Sequence, residues 1–396
     1  MVYPQLIQLS SRKTRFSGKA KKVDFEVLNR EEIPSNVDKI RKPGIESAII
    51  RESSVEVLRY IEEHLDLRRI SKVLLSASLY FDSSPVTYYN VKAAAFNNNV
   101  RAIIDFKLTN RSRFINKYYQ AINSLLPHTG IFIGCFESNQ QRNRRVYGEK
   151  PNIYHKVRIL IDFFVHRVLP KLSYTKQLYF RITGGKYRFI STAEVLGRLV
   201  SCGFEVIEYK EIKNLTYFVV IKTREPLKVQ SPTYGPLVRL NRVGKNGKMI
   251  KVYKFRTMHP YSEFIQDFVL KLNGYSEKGK PMNDFRLTPW GKVFRKYWLD
   301  EMPQLINVLK GEMKIVGVRP LSFVRFSQLP EDLQKERIKT KPGCIPPYVS
   351  LNMPSDKGNI EAEWIYLKDK AKSYFTNIRY LVMAMINILT RKIVSE

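Results

Sequence analysis

The sequence predicts two folded parts: an α/β domain over residues 46–225 and a second domain over 226–350, with a basic leader at 1–45 and a helical tail at 351–396. Three observations carry this reading. From Glu46 to Lys222, segments with helical spacing alternate with short apolar runs, the pattern of a parallel sheet with crossover helices. "REPLKVQSPTYGPL" then places three prolines and a glycine between two patterned regions, which marks a linker. Beyond it the charge changes character, with no acidic residue from Pro226 to Ser262.

The elements follow in order. "SVEVLRYIEEHLDL" has helical spacing, "KVLLSASL" and "VRAIIDFKL" read as strands, "RFINKYYQAINSLL" as a helix and "GIFIGCF" as a buried strand. "VRILIDFFVHRVLPKL", Val157 to Leu172, is apolar at helical spacing but interrupted by Asp162, His166 and Arg167, and reads as a core-facing helix rather than an interfacial one. "TAEVLGRLVSCGF" predicts a helix closing on Gly203, and "EVIEYKEI" with "LTYFVVIKT" an antiparallel pair. The order resembles the second half of a class I methyltransferase fold over residues 70–223, which implies a partial Rossmann-like domain. Methyl transfer needs a glycine-rich loop after an early strand, and no glycine occurs between Gly44 and Gly130. The region is therefore read as a scaffold without cofactor binding.

The chain of 396 residues carries 68 Lys and Arg against 36 Asp and Glu, a formal charge of +32, so an anionic partner is expected: nucleic acid, an anionic membrane face or phosphorylated substrates. No helix-turn-helix, zinc or RNP-like pattern accompanies the charge, so nucleic acid is not the expected partner. Cys135, Cys202 and Cys344 are far apart and form no CxxC pair, which fits a reducing, cytoplasmic setting. No run of 18 apolar residues appears, so no transmembrane helix is expected.

Two stretches in the second domain have the residue types for phosphate chemistry. In "RVGKNGKMIKVYKFRTM", a hairpin pattern, Lys254 and Arg256 are embedded among apolar residues and read as cations held by packing and aimed at a phosphate. In "WLDEMPQLINVLKGEMKIVGVRP", Asp300 and Glu301 adjoin a helical stripe of Leu305, Val308 and Leu309 that Gly311 stops. Asp300 is then at or near a helix N-cap, where capping alone is an adequate reason for an aspartate. The same position favours its ionised form, with Arg286, Arg295 and Arg319 as possible helpers. An ionised carboxylate among cations suits attack on phosphorus, and a second one beside it suits a divalent cation or a proton.

"SPTYGPLVRLNRVGKNGKMIKVYKFRTM", "NDFRLTPWGKVFRKYWLDEMPQLINVLKGEMKIVGVRP" and "KPG" at Lys341 to Gly343 resemble, in order, the catalytic domain of the bacterial sugar transferase family, the monotopic polyprenyl-phosphate hexose-1-phosphate (phosphoglycosyl) transferases. The resemblance covers residues 231–343 and implies an α+β sugar-transferase catalytic domain. It implies transfer of a sugar-1-phosphate from a UDP-sugar to polyprenyl, typically undecaprenyl, phosphate at the cytoplasmic face of the inner membrane. The product would prime exopolysaccharide, capsule or O-antigen. By the same resemblance Asp300 is the nucleophile of an aspartyl intermediate, Glu301 its partner, and Mg2+ is held nearby by Asp300 and Glu301. Lys254, Arg256, Arg286 and Arg319 would face the substrate phosphates. Two departures stand out. The family's re-entrant helix is replaced by the short, charged "NLTYFVVIKTREPLKVQSP", leaving Val157–Leu172, the tail "YLVMAMINILTRK" or the basic face for membrane attachment. "PGCIPPYVS" replaces the family's threonine-glycine continuation, in a segment expected to contact nucleotide or sugar. The competing readings are a catalytically inactive, membrane-associated interaction protein and a methyltransferase-like or nucleic-acid-binding protein; oligomeric state is open.

Overall fold

The first three strands are β1 (Val73–Ser76), β2 (Ala102–Leu108) and β3 (Ile131–Phe136), which pair in parallel in a five-stranded sheet. The hairpin of β4 (Phe204–Ile212) and β5 (Leu215–Lys222) completes it in the order β1-β2-β3-β5-β4, with β5 antiparallel to both neighbours. This computed structural model describes residues 43–67, 73–76, 100–149, 152–172, 174–184, 187–227, 235–274, 281–390 and 392–393. Nearly all of the expected leader and the middle of the linker lie outside them.

All six residues of β3 are buried, as a continuous apolar run covered on both faces should be. Helices α1 (Pro43–Glu52) and α2 (Val55–Glu62) precede the sheet. Helix α3 (Ile115–Leu125) connects β2 to β3, and α4 (Asn139–Tyr147), α5 (Ile153–Phe163), α6 (Thr175–Thr183) and α7 (Thr192–Ser201) lie between β3 and β4. Tyr119 and Ile122 of α3, Leu196 and Leu199 of α7, and Phe132 and Phe218 of the sheet share one core. The expected core-facing helix at Val157–Leu172 is corrected: no residue of α5 is buried, and after Phe163 the chain widens into a π-type turn over Phe164–Val168. The side of α5 that meets the protein does so through Asp162, held by Arg142 and Tyr147, and through Phe163, whose ring packs edge-on against Phe189 and Trp290.

The second region starts with the antiparallel hairpin β6 (Leu237–Val243) and β7 (Met249–Phe255), followed by α8 (Gln266–Asn273). Ile265 and Val269 enter the core of the first sheet, so the two regions share apolar contacts. Gly197 permits the approach, because a Cβ there would lie 2.1 Å from the Tyr261 carbonyl oxygen. Next come α9 (Pro289–Lys296), a 3-10 turn at Leu299–Gln304, α10 (Leu305–Leu309), β8 (Lys314–Val316), α11 (Phe323–Ser327), α12 (Glu331–Ile338) and β9 (Gly343–Ile345), which pairs in parallel with β8. The helices α13 (Pro347–Leu351), α14 (Asp356–Lys372) and α15 (Thr376–Leu389) finish the chain.

The tail helix α15 is two-sided. Tyr380 and Ala384 are fully buried, and Asn387, the polar interruption in its apolar run, donates to the Val349 and Ser350 carbonyls at 2.9 and 2.8 Å. Ile378, Val382, Ile386 and Leu389 stay exposed. Among the described residues no helix is long and apolar enough to cross a membrane.

Candidate active site

The hairpin and the turn after α9 build the site. Trp298 adopts a left-handed backbone (φ 58°), which ends α9 and starts the 3-10 turn that carries Asp300, Glu301 and Pro303. A proline is tolerated in so short a helical segment because few backbone donors are needed there. The N-cap is therefore Trp298, with Asp300 two residues inside the turn, near the cap as expected, and no side chain caps the turn. Asn307, fully buried in α10, fixes the turn to β7: its Oδ1 accepts from the Tyr253 amide at 3.1 Å and its Nδ2 donates to the Lys251 carbonyl at 2.8 Å. That staple brings Lys254 to the acidic pair.

Lys254 Nζ contacts Glu301 Oε1 at 2.5 Å, and Gln304 Nε2 donates to Glu301 Oε2 at 2.9 Å. Both Glu301 oxygens are thus engaged, whereas the buried Asp300 Oδ1 has no hydrogen-bond partner. Burial pushes the Asp300 carboxyl above its ordinary range; Lys254 opposes this, Glu301 adds to it, and Arg295 and a backbone hydrogen bond pull back. The expected helix-terminus stabilisation of its ionised form is outweighed by desolvation.

A small cavity of about 60 Å³ opens beside the pair, lined among others by Arg242, Lys254, Glu301, Arg319 and Tyr348. Asp300 is not among the residues that line this cavity, but its charge acts on Lys254 and Tyr348, which are. Among the described residues neither the Arg242 nor the Arg319 guanidinium has an ion-pair partner; burial first, then the Arg319 charge, holds Arg242 below the ordinary arginine range. The Arg319 guanidinium lies 5.6 Å from the Tyr348 ring centre. Its backbone is clamped from a distance: the amide donates to Glu363 Oε1 at 3.0 Å, and Arg337 bridges Glu363 and the Arg319 carbonyl. Two arginines left without carboxylates at one cavity form a site for an anion.

Residues 214–391 match the bacterial sugar transferase family. The C-terminal part of the chain carries a bacterial sugar transferase domain. Over 111 residues the chain is 41% identical to the galactosyl transferase CpsE of Streptococcus agalactiae, covering 28% of this chain and 24% of that protein. It is 40% identical over 108 residues to a UDP-N-acetylgalactosamine-undecaprenyl-phosphate N-acetylgalactosaminephosphotransferase of Aeromonas hydrophila, covering 26% and 22%. It is 37% identical over 107 residues to an undecaprenyl-phosphate galactose phosphotransferase of Salmonella typhimurium, again 26% and 22%. The chain thus spans less than a quarter of the length of these relatives.

Within the transferase domain, two of the sequence-predicted phosphate ligands are turned elsewhere. Arg256 donates through Nε to the Gly235 carbonyl at 3.0 Å, and Arg286, 2% exposed, grips Asp284 with Nε and a terminal nitrogen at 2.8 and 2.7 Å and also reaches Gln266. Neither lines the cavity, where Lys254, Glu301 and Arg319 meet. Arg295 stands between the two acidic groups, donating to Thr257 Oγ1 at 3.1 Å with its charge felt by Asp300 and Asp284. Thr257 itself is locked under α9: its carbonyl accepts from Thr288, and a Cβ at Gly291 would lie 2.1 Å from it.

Sequence reasoning missed four contributors. Arg242 was visible only as the first residue of the basic hairpin segment "RVGKNGKMIKVYKFRTM", and Tyr348 only as part of a divergent segment. Arg337 and Glu363 carry no local signal, since they act on Arg319 across 18 and 44 positions. For the magnesium that the family resemblance implies, no group of three or more His, Cys, Asp or Glu side chains suited to a metal occurs among the described residues. Of the expected pair, Asp300 Oδ1 is open to magnesium, which takes one or two carboxylates and completes its shell with substrate phosphates and water, whereas Glu301 would join it by giving up Lys254 or Gln304.

Proposed function

We propose that the chain transfers a sugar-1-phosphate from a UDP-sugar to polyprenyl (undecaprenyl) phosphate by double displacement at Asp300. The reaction would run at the cytoplasmic face of the inner membrane and prime exopolysaccharide, capsule or O-antigen synthesis. The observation that carries the reading is a buried carboxylate oxygen without a partner, beside a cavity whose two arginines have no counter-charge among the described residues. Undecaprenyl phosphate appears in the names of two of the relatives above.

Asp300 Oδ1 attacks the phosphorus attached to the sugar. The bond from that phosphorus to the bridging oxygen breaks, and UMP leaves with the electron pair. An oxygen of the polyprenyl phosphate then attacks the same phosphorus and displaces the Asp300 carboxylate, giving a polyprenyl diphosphate sugar. Oδ1 has no hydrogen bond of its own to give up, and a carboxylate kept basic by burial is the stronger nucleophile once ionised. Arg242, Lys254 and Arg319 face the charge that develops on the phosphoryl oxygens. Glu301 keeps the Lys254 ammonium at the cavity wall. Magnesium, when held by Asp300 and Glu301, supplies further neutralisation of the phosphates. Arg286 and Arg256 hold the loops on which this set is mounted.

We read residues 46–225 as a Rossmann-like scaffold, supported by three parallel strands followed by the antiparallel insertion of β5. The test of the function is UMP release from UDP-sugars in the presence of undecaprenyl phosphate. Release by the wild type that is lost in Asp300→Asn supports it, and equal release by both sinks the assignment.

A further inference from the structure

The scaffold carries an apolar face that no other part of the described protein covers. Ile153, Val157, Leu160, Ile161 and Phe164 recur at the spacing of one helical stripe, and each is more than half exposed. The stripe points directly away from the body of the protein. Asp162, on the opposite side of the helix, is held at 2.9 Å by Arg142 and at 2.7 Å by the Tyr147 hydroxyl. Lys156 and Arg158, both exposed, flank the stripe on its two sides, so their long stems can lie along the apolar face while their charges reach outward. The next helix, α6, adds Leu178 and Ile182, 59% and 74% exposed, with the exposed cations Lys176 and Arg181 beside them.

We propose that the α5 stripe is a docking face for an anionic lipid bilayer. Charge complementarity selects this occupant. The stripe is bordered by cations, its one acid is turned inward, and the whole chain has a formal charge of +32, which an anionic surface attracts and a second copy of the chain repels. The face is also continuous with the transferase domain. Phe163, the last residue of α5, meets the Trp290 ring edge-on at 5.2 Å, and Trp290 opens α9, the helix that leads into the Asp300 turn. Val293 and Tyr297 on that helix and Met302 beside the acidic pair are themselves about half exposed. A bilayer seated on α5 therefore lies close to the start of α9, the helix that leads into the Asp300 turn. The inference rests on the proposed lipid acceptor for its purpose, but its geometry stands in residues that precede the family match.

The experiment is flotation of the purified full-length chain with phosphatidylcholine vesicles, with and without phosphatidylglycerol. It compares the wild type, Leu160→Glu/Phe164→Glu and Lys156→Ser/Arg158→Ser. Because all four positions are exposed, circular dichroism of the variants should match the wild type. Wild-type protein should float with the anionic vesicles. The Glu pair should reduce partitioning by about tenfold or more, as loss of one or two buried apolar side chains implies, and the Ser pair should reduce the preference for phosphatidylglycerol. Binding by the Glu pair equal to wild type, or wild-type protein that stays at the bottom of the gradient, overturns the proposal. So does a wild-type dimer in sedimentation that the Glu pair dissociates while its vesicle binding is unchanged. UMP release in detergent solution separates this from the reaction itself: loss of flotation with release retained supports the docking face, and flotation without any UMP release leaves the face standing while removing the transferase reading.

Discussion

Two carboxylates sit at opposite ends of α9 and are treated in opposite ways. Asp284, before the helix, has both oxygens engaged by Arg286; burial pushes its carboxyl up, but the hydrogen bonds and charge of Arg286 outweigh that and hold it below the ordinary range. Asp300, after the helix, is also buried, yet one of its oxygens has no partner and its carboxyl sits above the ordinary range. Arg295, whose charge is felt by both, pairs fully with neither. A saturated pair is how a chain fixes a loop. An unsaturated carboxylate beside unpaired arginines is how it leaves capacity for a substrate, at some cost to stability.

The contrast can be broken at each end. Asp300→Asn should lower UMP release by about 10^3-fold or more, as removal of a nucleophile does, while urea unfolding shows stability unchanged or slightly raised. Asp284→Ala leaves Arg286 buried and unpaired, and its unfolding free energy should fall by about 3–5 kcal/mol. Arg319→Ala and Arg242→Ala remove one cation each from the cavity and should each slow UMP release by roughly 10^2-fold with the melting temperature little changed.

Titration sharpens the same comparison with opposite signs. The depressed Asp284 carboxyl contributes stability above its unfolded-state value of about 3.9, and this is lost as pH falls through the folded value. The raised Asp300 carboxyl costs stability at higher pH, and the cost is relieved as it is protonated. Since attack needs the ionised form, the acid limb of UMP release should have its midpoint above about 3.9. In Arg295→Gln that midpoint should move further up, by less than one pH unit, because a cation that lowers it is removed.

What the sequence made legible was what depends on local pattern. Alternation announced the sheet, the run "GIFIGCF" announced a strand buried on both faces, and the pairing of β4 with β5 followed from adjacency. The proximity of Lys254 to the acidic pair was implied by family resemblance, and the structure gives its physical cause in Asn307, whose hydrogen bonds span more than fifty residues. What stayed hidden were directions and distant partners. Periodicity shows that α5 has an apolar face and cannot show what lies against it, so a helix read as core-facing is exposed. Arg286 and Arg319 look alike in sequence, but one has an aspartate two residues away that saturates it and the other has none. Asp300 lies near the N-cap, as expected, but the cap itself is a left-handed Trp298 two residues earlier, a conformation that no pattern of residue types announces.

The central claim is that the unsaturated Asp300 oxygen forms a bond to phosphorus. Its most direct measurement is a reaction with UDP-sugar alone, without lipid acceptor, followed by quenching and intact-mass and peptide mass spectrometry. The account predicts a burst of UMP equal at most to the amount of enzyme, with a sugar-phosphate mass added to the peptide that contains Asp300 and absent in Asp300→Asn. No UMP without acceptor, or an adduct on another residue, would contradict it.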